Sequence, residues 1–185
     1  MSMRVHIEKK YKNEAIENVV VTSLFDVILA RRSIRRYEDK EISKNVLDKI
    51  LEAGRQSPSA ANKQPYHFVI VTDSEIKQKM SGMFSRFLKE APVVIVGCAN
   101  TKAILTGKWA TIDTTIALEN MILAAWSLGV GSCWIGSFKE QKVKDLLKIP
   151  KNLKVVALVS FGYPAETPKA RKKKSTHELF SINHF

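Results

Sequence analysis

Residues 111–128 read TIDTTIALENMILAAWSL. Apolar and small residues occupy most of the circumference of this stretch when it is wound as a helix. A surface helix would carry one polar face; a helix without one belongs in the interior, so the stretch predicts a central, buried helix. Gly129 follows as the residue just past its end, where a left-handed conformation commonly closes a helix. Gly131–Ile135 (GSCWI) then reads as a short strand, followed by Gly136. Upstream, Val93–Ala99 (VVIVGCA) is a nearly continuous apolar run after Ala91 and Pro92, the pattern of a strand covered on both faces. Downstream, residues 139–147 form an amphipathic helix ending before Pro150, and residues 153–161 (LKVVALVSF) make the last strong strand.

Working outward to the N-terminal half, residues 23–31 carry Leu24, Phe25, Val27, Ile28 and Leu29, which suit a short buried helix. Ser43 reads as an N-cap. Val46, Leu47, Ile50, Leu51 and Ala53 follow at helical spacing, predicting a helix over 44–56. Residues 57–65 (SPSAANKQP) form a loop, and Pro65 disfavours helix at Gln64. Residues 66–72 (YHFVIVT) are a strand by their aromatic and β-branched content. Asp73 or Ser74 caps a short helix running to about Met83, and residues 84–90 are ambiguous. The order of elements gives an α+β protein, mixed α/β layers around a sheet of about four or five strands. Short strands around a buried helix argue against an all-parallel dinucleotide fold. No GxGxxG follows the first strand and no GxxxxGK[ST] occurs.

At 185 residues the chain is expected to form one domain, over 22–185, with residues 1–21 as an extension of unclear role. Its 45% apolar and 26% charged residues exclude disordered, collagen-like and disulfide-scaffold classes. No apolar run approaches the length of a spanning helix, and the N-terminus has no apolar core of a secretory signal. Cys98 and Cys133 sit in apolar stretches without a CxxC, so they read as buried thiols of a cytoplasmic protein. His6, His67, His177 and His184 are scattered, and no metal site is expected.

Thirty basic residues against 18 acidic ones give a net charge of +12, which draws anions: phosphorylated ligands, nucleic acid or a membrane surface. Two clusters carry much of it, Arg31–Arg32–x–x–Arg35–Arg36 and Arg171–Lys172–Lys173–Lys174. In ARRSIRRY (residues 30–37), guanidinium forks and the Ser33 hydroxyl suit phosphate oxygens, whereas pairing with Glu38 and Asp39 would make the cluster structural. In the 57–65 loop, small residues and Pro58 permit close approach of a flat ligand, and Asn62 and Gln64 carry amides that match a heterocycle edge. The thiol of Cys133 reads as core. No Ser–His–Asp order or carboxylate pair marks a hydrolase. A nucleic-acid-binding domain would show basic strands interleaved with aromatics or a recognition helix, and neither is found.

Five segments, in order over residues 23–182, resemble the nitroreductase family of FMN-dependent oxidoreductases. They are ARRSIRRY, SPSAANKQPYHFVIV, EAPVVIVGCA, the run D-x-x-x-A-x-x-N-x-x-L-A-A-x-x-L-G-x-G-S-C-W-I-G-S-F, and VSFGYP. The resemblance implies a central, mostly antiparallel sheet flanked by helices, and FMN as bound cofactor. It implies that Arg31, Arg32, Ser33 and Arg35 hold the FMN phosphate and the adjacent flavin edge. Pro58, Ser59, Ala60, Asn62 and Gln64 would contact the ribityl chain and ring, and Trp134, Ile135, Gly136 and Ser137 would lie against the ring. The family often has Glu-Gly where this chain has Gly136–Ser137. A basic pair near the end falls on Arg171 and Lys173, or, one register away, on Lys169 and Arg171, with Ser175 replacing the family's proline. NADH or NADPH would donate hydride, nitroaromatics, quinones or free flavins would accept electrons in ping-pong order, and no side chain would be catalytic. A flavin-fragmenting or reductively dehalogenating relative of the same fold is the alternative. The family is typically a homodimer with FMN at the subunit interface. Larger members carry a substrate-covering insertion where this chain has only residues 100–109, implying an open acceptor site.

Overall fold

The structure is a computed structural model that describes residues 23–83 and 85–185. Ten elements follow in order: α1 Leu24–Ala30, α2 Lys44–Arg55, β1 Tyr66–Val71, α3 Ser74–Met80, β2 Val93–Ala99, α4 Ala110–Ser127, β3 Gly131–Ile135, α5 Glu140–Leu147, β4 Lys154–Gly162 and α6 Thr176–Leu179. Short 3-10 turns occupy Ala60–Asn62, Arg86–Lys89 and Gly107–Trp109. The four strands form one sheet in the order β1-β2-β4-β3, and all three pairings are antiparallel. The expected α+β layering holds, with four strands.

The central strands explain the continuous apolar runs. On β2, Val94, Val96 and Cys98 enter one half of the core while Val93 and Ile95 enter the other. On β4, Val155 and Leu158 enter the first half and Ala157, Val159 and Phe161 the second. Successive side chains of a strand point to opposite faces, so a strand apolar at every position must be covered on both. The first half is closed by Met80 of α3 and Val143 of α5. The second is closed by Ile50 of α2 and by Leu118, Met121, Ile122 and Ala125 of α4. A bulge between Gly97 and Cys98 shifts the β2–β4 register.

Local capping fits the sequence. The Ser43 hydroxyl accepts the Val46 N–H at 3.4 Å, and the Asp73 carboxylate accepts the Ile76 N–H at 2.8 Å, so Asp73 rather than Ser74 caps α3. That helix ends at Met80 rather than near Met83. Gly129 takes φ 75° past α4, as its place required. At the far end, Ser175 and Glu178 cap α6 reciprocally, the Glu178 carboxylate accepting the Ser175 N–H at 2.9 Å. The expected extension over 1–21 and residue 84 of the ambiguous stretch lie outside the described residues.

Two expectations of burial also change. α1 forms where expected but is not buried: only Val27 is covered, while Leu24, Phe25, Ile28 and Leu29 are 49–68% exposed. α4, too, is buried on only part of its apolar surface, since Ile112 and Ile116 stand out to solvent beside Trp109. The apolar content of both helices therefore exceeds what the core formed by the described residues consumes. Among the described residues no helix is long and apolar enough to cross a membrane.

The packing that carries α1 into the 31–37 segment is tight at Gly131. A Cβ built there would meet Ile34 Cγ1 at 2.6 Å, Ile34 Cβ at 3.0 Å and Pro164 Cγ at 3.0 Å. Ile34 is fully buried and β-branched, so it has little freedom to yield. Gly131→Ala is expected to destabilise the protein by about 1–3 kcal/mol. Chemical denaturation should show this as a lower midpoint with an unchanged slope; an unchanged midpoint would mean that Ile34 and Pro164 can shift.

Candidate functional site

α4 and β3 organise the surroundings. After α1, the chain extends past the start of β3: Ser33 bridges Ser132 in parallel fashion and the Ile34 N–H donates to the Ser132 carbonyl at 2.9 Å. Buried Tyr37 fixes the far end of this segment. Its hydroxyl donates to the Ile34 carbonyl at 2.7 Å and shares a 2.7 Å hydrogen bond with the Ser160 hydroxyl. Burial holds this phenol well above its ordinary titration range, so it remains a neutral donor. From the other side, Glu166 accepts the backbone N–H groups of Arg35 at 2.5 Å and Arg36 at 3.2 Å, and Ala165 N–H donates to the Arg36 carbonyl at 2.9 Å.

This framework leaves the guanidinium groups largely for other partners. Among the described residues neither Arg31, Arg32 nor Arg35 forms an ion pair, and the alternative in which Glu38 and Asp39 neutralise them is not what the structure has. Arg32 partly serves its own helix: its Nη1 donates to the Leu29 and Arg31 carbonyls at 2.7 and 2.9 Å, closing the C-terminus of α1. Arg31 and Arg35 both act electrostatically on Cys133, opposing the upward shift that burial imposes on the thiol, and Arg31 similarly opposes the burial-driven rise of Glu119 on α4. The arginine segment thus borders both α4 and β3.

The 57–65 loop meets the same helix. The Ala60 N–H faces both carboxylate oxygens of Asp113 at 3.3 Å, and Asn120 Nδ2 donates to the Ser57 hydroxyl at 2.8 Å. Ala61, Asn62 and Gln64 have φ of 49°, 53° and 48°, left-handed values for non-glycine residues. Such conformations cost on the order of 1–3 kcal/mol each and collect at ligand sites. Pro58, Asn62 and Gln64 are exposed, and Ser59 and Ala60 are half-buried. Gln64 N–H donates to the Ser59 hydroxyl at 2.9 Å, and its side-chain amide to Asn62 Oδ1 at 3.0 Å. On β3, Cys133 and Ile135 point into the core while Trp134 is 36% exposed; Gly136 and Ser137 follow in solvent.

Three of the four predicted groups are therefore anchored to one helix–strand pair. The fourth, Arg171 and Lys173, lies on an exposed C-terminal segment, as does Lys169. That segment departs from Glu166, already bonded to the arginine segment, and five extended residues reach at most about 18 Å. A cleft of about 670 Å³ lined by Met80, Met83, Phe138, Lys142 and Val143 includes Ser137 but none of the other predicted residues. Sequence reading gave no role to Tyr37, Asp113, Asn120 or Glu166. Asp113 and Asn120 had a signal, as polar residues two turns apart in an apolar helix. The Glu166 contact joins positions 131 residues apart and had none.

An uncompensated basic segment, a left-handed loop carrying amides and an exposed strand end are each suited in chemistry to a flat, anionic ligand, and the residues present fit a flavin phosphate. The family model for the nitroreductase family matches residues 28–103 and 81–163. This chain belongs to the nitroreductase family. It is 43% identical over 148 residues, 76% of this chain and 84% of the other, to an Archaeoglobus fulgidus protein provisionally named NADH dehydrogenase/NAD(P)H nitroreductase. It is 30% identical over 192 residues, 90% of this chain and 73% of the other, to the FMN reductase [NAD(P)H] of Bacillus subtilis. Among solved structures it resembles an FMN-dependent nitroreductase from Clostridium difficile, with a TM-score of 0.79, 32% identity, and coverage of 87% of this chain and 99% of the other.

Proposed function

We propose that this chain is an FMN-dependent oxidoreductase. In this reading it takes hydride from NADH or NADPH and passes the electrons to a nitroaromatic, a quinone or a free flavin. The observation that carries the reading is that the arginine segment and the left-handed loop are anchored to β3 and α4, and that the Trp134–Ser137 strand end continues β3, in a chain of this family. FMN, when bound, supplies the hydride and electron exchange itself. The side chains therefore need only bind, orient and neutralise.

Arg31 and Arg35 offer guanidinium forks to the phosphate, and Ser33 between them adds a hydroxyl donor. Arg32 contributes the donors left free by its helix cap. Arg171, with Lys173 or Lys169 beside it, supplies a second cationic wall. Pro58, Ser59 and Ala60 let the backbone come close to the ribityl chain, while Asn62 and Gln64 direct amides toward the ring edge. Trp134, Ile135, Gly136 and Ser137 line the ring; with no glutamate here, main-chain groups and the Ser137 hydroxyl are what this stretch can offer. Donor and acceptor use one place in turn, so the kinetics are ping-pong, and the nicotinamide donor places the reaction in the cytoplasm.

We also infer a homodimer. Leu24 (68% exposed), Phe25 (66%) and Leu29 (58%) of α1, with Ile112 (50%) of α4, form apolar surface on two helices that touch one another. A second copy provides the apolar cover that the sequence pattern of both helices calls for, and the FMN site borders this surface.

Three measurements test the reading. Arg31→Ala removes charge-assisted hydrogen bonds of roughly 1.5–3 kcal/mol, so FMN affinity should fall about tenfold to a hundredfold; full flavin retention by the purified variant would count against the phosphate assignment. Steady-state oxidation of NADH with a quinone should give parallel double-reciprocal lines, and intersecting lines would reject the ping-pong order. Sedimentation of the FMN-loaded protein at about micromolar concentration should return twice the 20.9 kDa chain mass; a single-chain species alone would refute the dimer.

A further inference from the structure

Two polar side chains of α4, Asp113 buried and Asn120 half-buried, reach the 57–65 loop. Asp113 and Asn120 are two turns apart, which places them on one side of the helix. Each takes hold of one end of the same loop. The Asn120 amide donates to the Ser57 hydroxyl at 2.8 Å, and that hydroxyl donates onward to the Ala53 carbonyl of α2 at 3.2 Å. Asp113 is only 4% exposed, and its carboxylate meets the Ala60 N–H with both oxygens at 3.3 Å. Immediately beyond Ala60 come the left-handed residues Ala61 and Asn62, then Gln64.

None of the three is glycine, so the backbone there is not in its preferred basin, and such a conformation persists only where its surroundings over-determine it. Inside the loop, the Asn62 N–H donates to the Ser59 carbonyl at 2.9 Å and the Lys63 N–H to the Ala60 carbonyl at 3.1 Å, closing the turn, and Gln64 bonds Ser59 and Asn62 through exposed groups that water can replace. The Ala60 N–H bond differs: its acceptor is charged, buried and mounted on α4, the most deeply packed of the described helices. Nearby, the Tyr66 hydroxyl is buried without a hydrogen-bond partner among the described residues, and its raised titration has burial as first cause and the Asp113 charge as second. The carboxylate thus works in a water-poor setting, where a charged acceptor is strongest.

We propose that Asp113 is a positioning residue of the cofactor site: through the Ala60 N–H it holds the 60–64 turn, with Ala61, Asn62 and Gln64 left-handed, in the shape that presents Asn62 and Gln64, before any ligand arrives. Asn120 fixes the other end of the loop at Ser57. The inference rests on the FMN reading for what the loop recognises, but not for how the loop is held.

The test uses the full chain stripped of flavin, with two readouts: hydrogen exchange of the amides at 60–64, and FMN affinity by flavin fluorescence quenching. In Asp113→Ala the Ala60 amide should lose at least about tenfold of its protection, and FMN affinity should fall about tenfold to a hundredfold. Asp113→Asn keeps one neutral acceptor in the same shape and should fall in between. Ala61→Gly adopts positive φ without strain. Added to Asp113→Ala it should recover at least about threefold in FMN affinity, whereas alone it should not tighten binding; a residue that merely supported the fold would show no such rescue. If Asp113→Ala does not fold, Asp113→Asn decides. Unchanged protection at Ala60 with FMN affinity within about twofold of the parent, in whichever variant folds, overturns the proposal. A parent protein that binds no FMN defeats the functional reading instead, and exchange at Ala60 still decides the role of Asp113.

Discussion

The packing of α4 between the sheet and its own exposed side is what the rest of the molecule depends on. Inward, Leu118, Met121 and Ala125 lie against β2, β4 and α2 and close one half of the core. Burying such side chains contributes roughly 1.5–3 kcal/mol each for the large ones, so the helix is a firm platform. From it, Asp113 and Asn120 reach the 57–65 loop, and Glu119 lies within the field of Arg31. Outward, the same helix joins α1 in an apolar surface. One helix thus sets the core, the loop, the arginine segment and the proposed subunit contact, and a shift in its axis moves all four together.

Charge is arranged differently from apolar area. The net charge of +12 is not spread over ion pairs at the site. The exposed pairs Lys44–Asp48, Arg55–Glu52 and Lys79–Glu75 are helix-surface contacts of neighbouring turns, worth a few tenths of a kcal/mol. In contrast, the acid closest to the arginine segment, Glu166, spends its carboxylate on the main-chain N–H groups of Arg35 and Arg36. Fixing the backbone while leaving the guanidinium groups unpaired keeps both geometry and charge for an incoming anion, which gains from positive potential without having to displace a carboxylate.

Much of this was legible in the sequence where the cause is local. Ser43 and Asp73 cap their helices because a short side-chain oxygen beside the first turn needs no distant partner. The all-apolar β2 and β4 announced a strand buried on both faces. α1 was misjudged as buried because Leu24, Phe25, Ile28 and Leu29 read the same whether the cover comes from this chain or from another. The boundary of α3 at Met80 rather than Met83 followed no strong breaker. The arginine and loop segments were found as residue types, but their mutual anchoring was not. Glu166 reaches across most of the chain, and no residue type at Ala61 or Gln64 signals a left-handed backbone, which tertiary contacts impose there.

Local preference and final structure agree almost everywhere in this chain, as expected of a sequence whose levels are mutually consistent. They part company singly at Leu105, Lys148 and Asn183 and as a cluster at Ala61, Asn62 and Gln64; the cluster lies beside a buried carboxylate whose own burial is unfavourable unless it is used. Two unfavourable features placed in contact, each needing the other, are hard to explain by packing alone, because an apolar residue at 113 and glycines in the loop would fold with less strain. A loop of glycines, however, would sample many shapes, and a ligand would have to order it on binding. Non-glycine residues held left-handed by a charge present one shape from the outset. The strain is the consequence of preorganisation, and the platform formed by α4 is stable enough to hold it.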